Sequence, residues 1–270
     1  MKTWLRTRHA VVVAACCFTL TSAAQTICLK GSDTLGAKLV PQLAETYRAK
    51  NPDVKFEIAA EGSAVAFTAL ANGTAQIGMS SRKATAQELT DAEAKGVKLE
   101  EIIACHDMIV VVVNSSNPLK SLTKKQVGKI FTGQVKDWSE IGGAPGPITV
   151  YTRNTSSGTY KDWQKMAMND REYAKGSLKL GGGELATVEV AKNKNGIGYI
   201  GLAYAKKSGV RAVNIDGIEP VAANAKRYAY SRECYYYVPA NASPEVKAFL
   251  EFASGDEGKR ITRAIGFVPD

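Results

Sequence analysis

Histidine and cysteine are scarce in this sequence, and their scarcity argues against several kinds of chemistry. The chain has two histidines and five cysteines among 270 residues. His9 lies in the basic N-terminal segment, so His106 is the remaining candidate for a catalytic base, and its apolar surroundings favour a structural or hinge position. A His/Cys metal site lacks ligands at a workable spacing. No G-x-S-x-G elbow is present, so a serine hydrolase has little support.

Nucleotide-binding and nucleic-acid-binding motifs are also missing. The run from Gly31 to Gly36 is followed by Ala37 rather than Gly-Lys, so it is not a Walker loop. Basic residues are scattered, with no Lys/Arg-rich run that interleaves aromatic residues. The net charge of +9 is a modest excess that attracts anions without implying nucleic acid. With 45% apolar and 23% charged residues, the chain has the composition of a folded protein.

The first 24 residues have the pattern of a secretory signal peptide. Lys2, Arg6 and Arg8 precede an apolar stretch at residues 10–20, and small residues lead up to a predicted cleavage site after Ala24. The apolar stretch is too short to span a bilayer. Cys16 could instead mark a lipoprotein cleavage site, but the apolar run continues past it. We therefore expect an exported protein, periplasmic or secreted, whose net charge falls to +6 once those three cations are removed.

Three cysteines remain after cleavage, namely Cys28, Cys105 and Cys234. An exported compartment permits a disulfide, and an odd count leaves at least one thiol unpaired. Cys105 and Cys234 both lie in strand-like runs, so they are the preferred pair. Three buried, reduced thiols are the alternative.

Short strand-like runs alternate with helix-length segments along the chain, which indicates an α/β protein. Two apolar runs, Ile102–Asn114 and Tyr228–Pro239, are long enough to cross from one lobe into another. The predicted organisation is therefore a discontinuous lobe 1, residues 25–107 and 235–270, and a lobe 2, residues 108–234. A ligand of such a two-lobed protein would lie in the cleft between the lobes.

The segment from Arg153 to Thr159 is the strongest indication of a binding site. It lies between a predicted strand at residues 147–151 and a predicted helix at residues 160–168. A strand, a polar turn and a helix together direct free backbone N–H groups at an anion. Arg153 adds a fork of donors suited to a tetrahedral oxyanion, and Ser157 and Thr159 add hydroxyls. Alternatively, Ser157 simply caps the helix and Arg153 is a surface charge.

Three more turns place small hydroxyl residues where a predicted strand ends. They are residues 31–35, 61–63 and 80–82, which contain Ser32, Thr34, Ser63 and Ser81. One such turn is more often a helix cap than a ligand site. Ligands of open α/β sheets bind at the carboxyl ends of the strands, however, and four such turns together favour an anion site.

These motifs resemble those of the periplasmic phosphate-binding proteins that serve phosphate ABC importers. The resemblance runs from Thr26 to Phe267, and its most specific part is the spacing from Arg153 to Ser157-Gly158-Thr159. It implies a type-II periplasmic-binding-protein fold, with two mostly parallel α/β lobes, two hinge crossings and inorganic phosphate bound between the lobes. A membrane permease is the implied partner, and a monomer without enzymatic activity, cofactor or metal is expected. The implied phosphate contacts are Thr34, the Leu35 amide, Ser63, Arg153, Ser157, the Gly158 amide and Thr159.

One position departs from the pattern of many family members. They carry an aspartate where this chain has Ser81, and that carboxylate accepts the proton of hydrogen phosphate. Ser81 remains a predicted ligand, and Asp33 is an available substitute acceptor or else a helix cap. Ser32 and Arg82 are further candidate ligands. Two other functions stay open, namely an exported phosphatase-like enzyme that reuses the anion pocket, and a phosphate-sensing or adhesive surface protein.

Overall fold

The structure is a computed structural model that describes residues 25–270. The predicted signal peptide and the alternative lipoprotein site at Cys16 lie outside the described residues. Alternating strands and helices confirm the predicted α/β class. The strands are β1 Gln25–Gly31, β2 Val54–Ala59, β3 Ile77–Ser80, β4 Leu99–Asn114, β5 Ser121–Leu122, β6 Thr149–Arg153, β7 Leu178–Leu180, β8 Gly196–Gly201, β9 Val210–Ala212, β10 Asn214–Ile215 and β11 Ser231–Pro239. The α-helices are α1 Val40–Lys50, α2 Ser63–Ala71, α3 Ala86–Glu93, α4 Lys124–Phe131, α5 Gly158–Met168, α6 Gly183–Lys192, α7 Pro244–Ser254 and α8 Asp256–Ile265.

Two long strands, β4 and β11, pair at the centre of the principal sheet. The strand order is β2-β1-β3-β11-β4-β8-β6-β7, and β9 also pairs with β4. On one flank β1 is parallel to β2 and β3, and on the other β6 is parallel to β7 and β8. The two central strands run antiparallel to each other and to their flanking neighbours β3 and β8. Each flank is therefore parallel, as predicted, and β4 and β11 are the two crossings.

Hydrophobic packing forms separate cores on either side of these crossings. One core is built from buried residues between Met108 and Tyr230. The principal core on the other side contains Ile27, Cys105, Cys234 and Phe267, so the C-terminal tail returns to the first lobe. The long apolar run of β4 contributes to both cores because its two ends lie in different lobes. We propose lobe boundaries at residues 107/108 and 234/235. The cores support the first boundary, whereas Cys234, at the second, packs into the core of the first lobe.

The helical segment after β1 begins with an irregular turn. Leu35–Leu39 forms a single π-helical turn that leads directly into α1. Its last bond runs from the Val40 N–H to the Leu35 carbonyl. Pro41 follows at once and has no N–H to donate. The wider turn absorbs this break, so the chain stays helical across the proline.

The predicted Cys105–Cys234 disulfide is not present. The two residues lie directly opposite each other on β4 and β11, and both are fully buried, but they are free thiols, as is Cys28. Directly opposed antiparallel residues have Cβ atoms about 4.5–5.5 Å apart, whereas a disulfide requires about 3.8 Å. Strand pairing thus explains why the cysteines are neighbours without being bonded. Burial, together with the adjacent Cys234 thiol, raises the pKa of the Cys105 thiol.

Within residues 25–270, no helix combines the length and the apolar character needed to cross a membrane.

Candidate functional site

The four hydroxyl-bearing turns converge between the two lobes. Thr34 Oγ1, after β1, lies 3.3 Å from Thr159 Oγ1 at the start of α5. Ser63, at the start of α2, accepts a hydrogen bond of 3.0 Å from the Ser81 amide, and the two serine hydroxyls are 3.3 Å apart. All four side chains are buried, with exposed fractions of 0–2%. Sequence positions that are up to 125 residues apart thus form one polar cluster.

Close backbone approach joins the α5 turn to the turn before α2. A Cβ at Gly158 would lie 2.4 Å from Ser63 Oγ and 2.6 Å from Ser81 Oγ. Gly62, with φ of 119°, faces the Ser156 backbone at a similar distance, and the Ala64 N–H donates to the Ser156 carbonyl. Side chains larger than hydrogen at the two glycine positions would hold the turns apart. The lobes are therefore in a closed arrangement.

Two helices begin at the cluster and direct backbone amides towards it. Ser157 is the N-cap of α5, and its Oγ accepts from the Tyr160 N–H at 3.3 Å. The capping role considered from the sequence is therefore real, but a hydroxyl that accepts one bond still has its own proton to donate. Trp163 anchors α5 by stacking on Tyr199 at 4.7 Å. The amides of the first helical turn have no intrahelical acceptor, so the start of α5 can bind an anion.

Arg153 is buried at the end of β6 with one donor unsatisfied. Its Nη2 donates to the Gly181 carbonyl at 2.9 Å, and its Nη1 lies 3.4 Å from Asp33 Oδ2. Among the described residues, neither its Nε nor the buried hydroxyl of Ser32 has a hydrogen-bond partner. Buried polar groups are normally paired with protein or water, so both groups are available to a further partner. An acceptor-rich ligand would satisfy both groups.

Asp33 is a contact between the lobes in this arrangement. Its Oδ2 accepts from the Gly183 N–H at 3.0 Å and from the Tyr204 hydroxyl at 3.3 Å, in addition to the ion pair with Arg153. Gly182, the N-cap residue of α6, has no side chain for capping, so Asp33 caps this helix from the opposite lobe. The geometry therefore favours the interpretation of Asp33 as a helix cap over its interpretation as a substitute acceptor for hydrogen phosphate. The helix it caps belongs to the other lobe, which the sequence does not indicate.

Arg82 is not brought into the cluster. Its guanidinium forms two hydrogen bonds with Glu88, of 2.8 and 2.6 Å, and lies over the Phe67 ring. Because these bonds occupy its guanidinium, we propose a structural role for Arg82 in place of the role of a further ligand. The bonds to Arg82 and Thr85 outweigh burial and lower the pKa of the Glu88 carboxyl.

Sequence reasoning missed three charged residues next to the cluster. Arg232 on β11 lies opposite Asp107 on β4, with Nη2 2.9 Å from Asp107 Oδ2, and its Nη1 is 3.4 Å from Asp162 Oδ2. A possible signal was the presence of charged residues inside two apolar crossing segments, Asp107 in the first and Arg232 in the second. Gly181–Gly183 also belongs here because it contacts Arg153 and Asp33.

The acidic groups here serve as acceptors for arginines. Burial raises the pKa of the Asp162 carboxyl, and the neighbouring Arg232 only partly offsets that effect. Burial also raises the pKa of Tyr199 to about 12, so its hydroxyl stays protonated beside Thr152 and Tyr173. No group of three or more His, Cys, Asp or Glu side chains in residues 25–270 is arranged to hold a metal ion. The lone His106 contacts Asp270, away from these hydroxyls.

A separate cavity of about 540 Å³ opens beside His106, Ser231 and Glu233. It shares Arg232 with the polar cluster but none of the turn hydroxyls. Because ligand chemistry depends on the donors present, we place the candidate site at the hydroxyl cluster.

Comparisons with known proteins agree with this geometry. The family model described as a PBP superfamily domain matches residues 19–257. The chain is similar to the phosphate-binding protein PstS of Bacillus subtilis, at 31% identity over 254 residues, which cover 92% of this chain and 81% of that protein. The corresponding protein of Pseudomonas aeruginosa is 31% identical over 264 residues, covering 88% and 81%.

Two solved structures extend the similarity to the fold. A candidate phosphate ABC transporter substrate-binding protein from Clostridium perfringens, crystallised with bound phosphate, has a TM-score of 0.85 and 30% identity, covering 91% of this chain and 100% of that one. An ABC-type phosphate transport receptor from Vibrio cholerae has a TM-score of 0.74 and 26% identity, covering 90% and 100%.

The raised pKa of Asp162 predicts a specific pH dependence of stability. The folded protein holds the Asp162 proton more tightly than the unfolded chain does, so this residue's contribution falls as pH rises from the ordinary carboxyl pKa through the raised one. We therefore expect the melting temperature of Asp162→Asn, relative to that of the unsubstituted protein, to increase between pH 4 and pH 7. Thermal unfolding in buffers free of oxyanions measures this, and a constant difference across the range would contradict it.

Proposed function

The chain belongs to the PBP superfamily and, within it, to the phosphate-binding proteins. From this membership we propose that it captures inorganic phosphate between its lobes and delivers it to the permease of an ABC importer. The observation that carries the proposal is the convergence of four hydroxyl-bearing turns, one of which begins at Arg153, a buried arginine with an unpaired Nε. Phosphate supplies the acceptors that these donors lack.

Ligand binding is proposed to stabilise the closed form of the protein. Thr34, Ser63 and Ser81 come from one lobe, and Arg153, Ser157 and Thr159 from the other. An anion that accepts bonds from both groups binds the closed form better than an open one, and so shifts the population towards it. The closed form is then what the permease recognises.

Binding without chemical conversion is the proposed mode of action. The relatives are named as phosphate-binding proteins, and the structure pairs the nearby carboxylates with arginines. Neither a phosphatase-like enzyme nor an adhesive or sensing protein is favoured by these observations. We further propose a monomer, without a nucleic-acid partner, that is exported to the periplasm or the exterior after cleavage behind Ala24.

Calorimetry on protein freed of bound anion tests the function. We expect one phosphate per chain, and about 2.7 kcal/mol of added stability at a phosphate concentration a hundredfold above the dissociation constant.

Arg153→Ala should cost about 1.5–3 kcal/mol of binding free energy because it removes a charge-assisted donor. Ser63→Ala should cost about 0.5–1.5 kcal/mol. Absence of binding, or equally small effects of both variants, would place the site elsewhere.

Closure can be tested separately at Gly158. An alanine there would place its Cβ 2.4 Å from Ser63 Oγ, a steric conflict that costs about 1–3 kcal/mol in packed sites. We expect Gly158→Ala to weaken phosphate binding by roughly ten- to a hundredfold, since every 1.4 kcal/mol is about tenfold, while the unliganded protein melts as before.

Gly176→Ala is the matched control, because a Cβ at Gly176 would meet nothing within 4 Å. Unchanged affinity of the Gly158→Ala variant would show that phosphate binding does not require the close approach of the two turns.

A further inference from the structure

Arg232 lies on the floor of the site, between the crossing strands and the polar cluster. It is paired across the sheet with Asp107, and the side chains of the two residues are only 4% and 0% exposed. Both its Nε and its Nη2 donate to Asp107 Oδ2, at 3.3 and 2.9 Å. Two bonds to one carboxylate fix the plane of the guanidinium. The remaining donors therefore point in fixed directions.

Those remaining donors contact both lobes. One proton of Nη2 is directed at Asp107, and the other is shared between Thr159 Oγ1 at 2.9 Å and Thr34 Oγ1 at 3.3 Å. Nη1 donates to the Ser81 carbonyl at 3.2 Å, on the first lobe. One side chain on a crossing strand thus contacts three of the residues proposed to surround phosphate, and two of these contacts are to the ligand hydroxyls themselves.

The bonds to the two threonines determine the direction in which each hydroxyl can donate. A hydroxyl has one proton and two lone pairs, whereas a guanidinium can only donate. Each threonine oxygen must therefore accept from Arg232, and its own proton remains for another acceptor. The hydroxyls of Thr34 and Thr159 are 3.3 Å apart. Without the arginine, either hydroxyl could donate its proton to the other instead of to the anion.

We propose that Arg232 is a positioning residue for phosphate binding, which orients the hydroxyls of Thr34 and Thr159 so that both donate to the anion. The inference rests on the proposed function. Arg232 acts through the two threonines, whereas Arg153 offers its own unpaired Nε to the ligand. Asp107 holds the guanidinium in place and balances its charge.

A double-mutant cycle between positions 232 and 159 tests this role, because it separates an effect through the hydroxyl from a direct effect on the anion. Arg232 is replaced in two ways. Arg232→Lys keeps the charge opposite Asp107 but lacks the planar fork. Arg232→Gln with Asp107→Asn replaces this ion pair by a neutral pair, which avoids leaving Asp107 as an unpaired buried carboxylate. Each change is made with Thr159 intact and in a Thr159→Val background, and phosphate affinity is measured by calorimetry.

With Thr159 intact, we expect either replacement to weaken phosphate binding by about tenfold or more, in line with the loss of correctly directed hydrogen bonds. In the Thr159→Val background the same replacement should weaken phosphate binding by less than about threefold, because the hydroxyl closest to Arg232 is absent. Arg211→Gln is the control, since Arg211 donates to the carbonyls of Asn117 and Leu119 within lobe 2. It should leave the affinity unchanged.

Equal losses in both backgrounds would overturn the proposal, because Arg232 would then act on the anion itself. No loss with Thr159 intact would overturn it as well. In both cases the unsubstituted protein still binds phosphate, so the proposed function stands. If the unsubstituted protein binds no phosphate, the proposed function fails and this inference fails with it.

Discussion

The approach of the α5 N-terminus to the serines of the first lobe is the contact on which the rest of the site depends. Gly158 lies so close to the hydroxyls of Ser63 and Ser81 that only a residue without a side chain fits there. When this contact forms, Thr34 meets Thr159 and Asp33 reaches the α6 N-terminus. Donors from both lobes then surround the same small volume. Since an anion needs many directed donors in a dry site, this closure is what makes binding favourable.

Charge within the site is locally balanced. Arg153 lies beside Asp33, and Arg232 is paired with Asp107. Neither cation is therefore an uncompensated charge that would attract any anion alike. The remaining interactions are hydroxyls, backbone amides and the free Nε of Arg153, all of which require acceptors in defined directions. We propose that such a site discriminates between anions by geometry, which is why the orientation of each hydroxyl enters the proposal for Arg232.

Local patterns in the sequence predict the structure of single strands, helices and turns. They predict few of the contacts between segments that are far apart in the sequence. The α/β class, the two crossings and the four hydroxyl-bearing turns follow from strand and helix periods and from cap residues.

The contacts between distant segments could not be predicted in this way. The Asp107–Arg232 pair is one of them, because its partners are 125 positions apart and each lies in an apolar run. Asp33 was expected to accept from the ligand or to cap its own helix, yet it caps a helix of the other lobe. Arg82 was predicted as a candidate ligand because it follows Ser81 in the sequence. In the structure its guanidinium instead binds Glu88, which lies in the first turn of α3. Cys105 and Cys234 were predicted as a disulfide pair. They are neighbours because their strands pair, but they are not bonded to each other.

The most direct test is a crystal structure of the mature protein grown with phosphate. We predict a single phosphate beside the Ser63–Ser81 pair and the start of α5, within hydrogen-bond distance of Arg153 Nε and of the hydroxyls of Thr34 and Thr159. Arg232 should contact the threonines rather than the anion. A phosphate bound elsewhere, for example beside the surface lysines 124, 125 and 129, with these hydroxyls unliganded, would contradict the account.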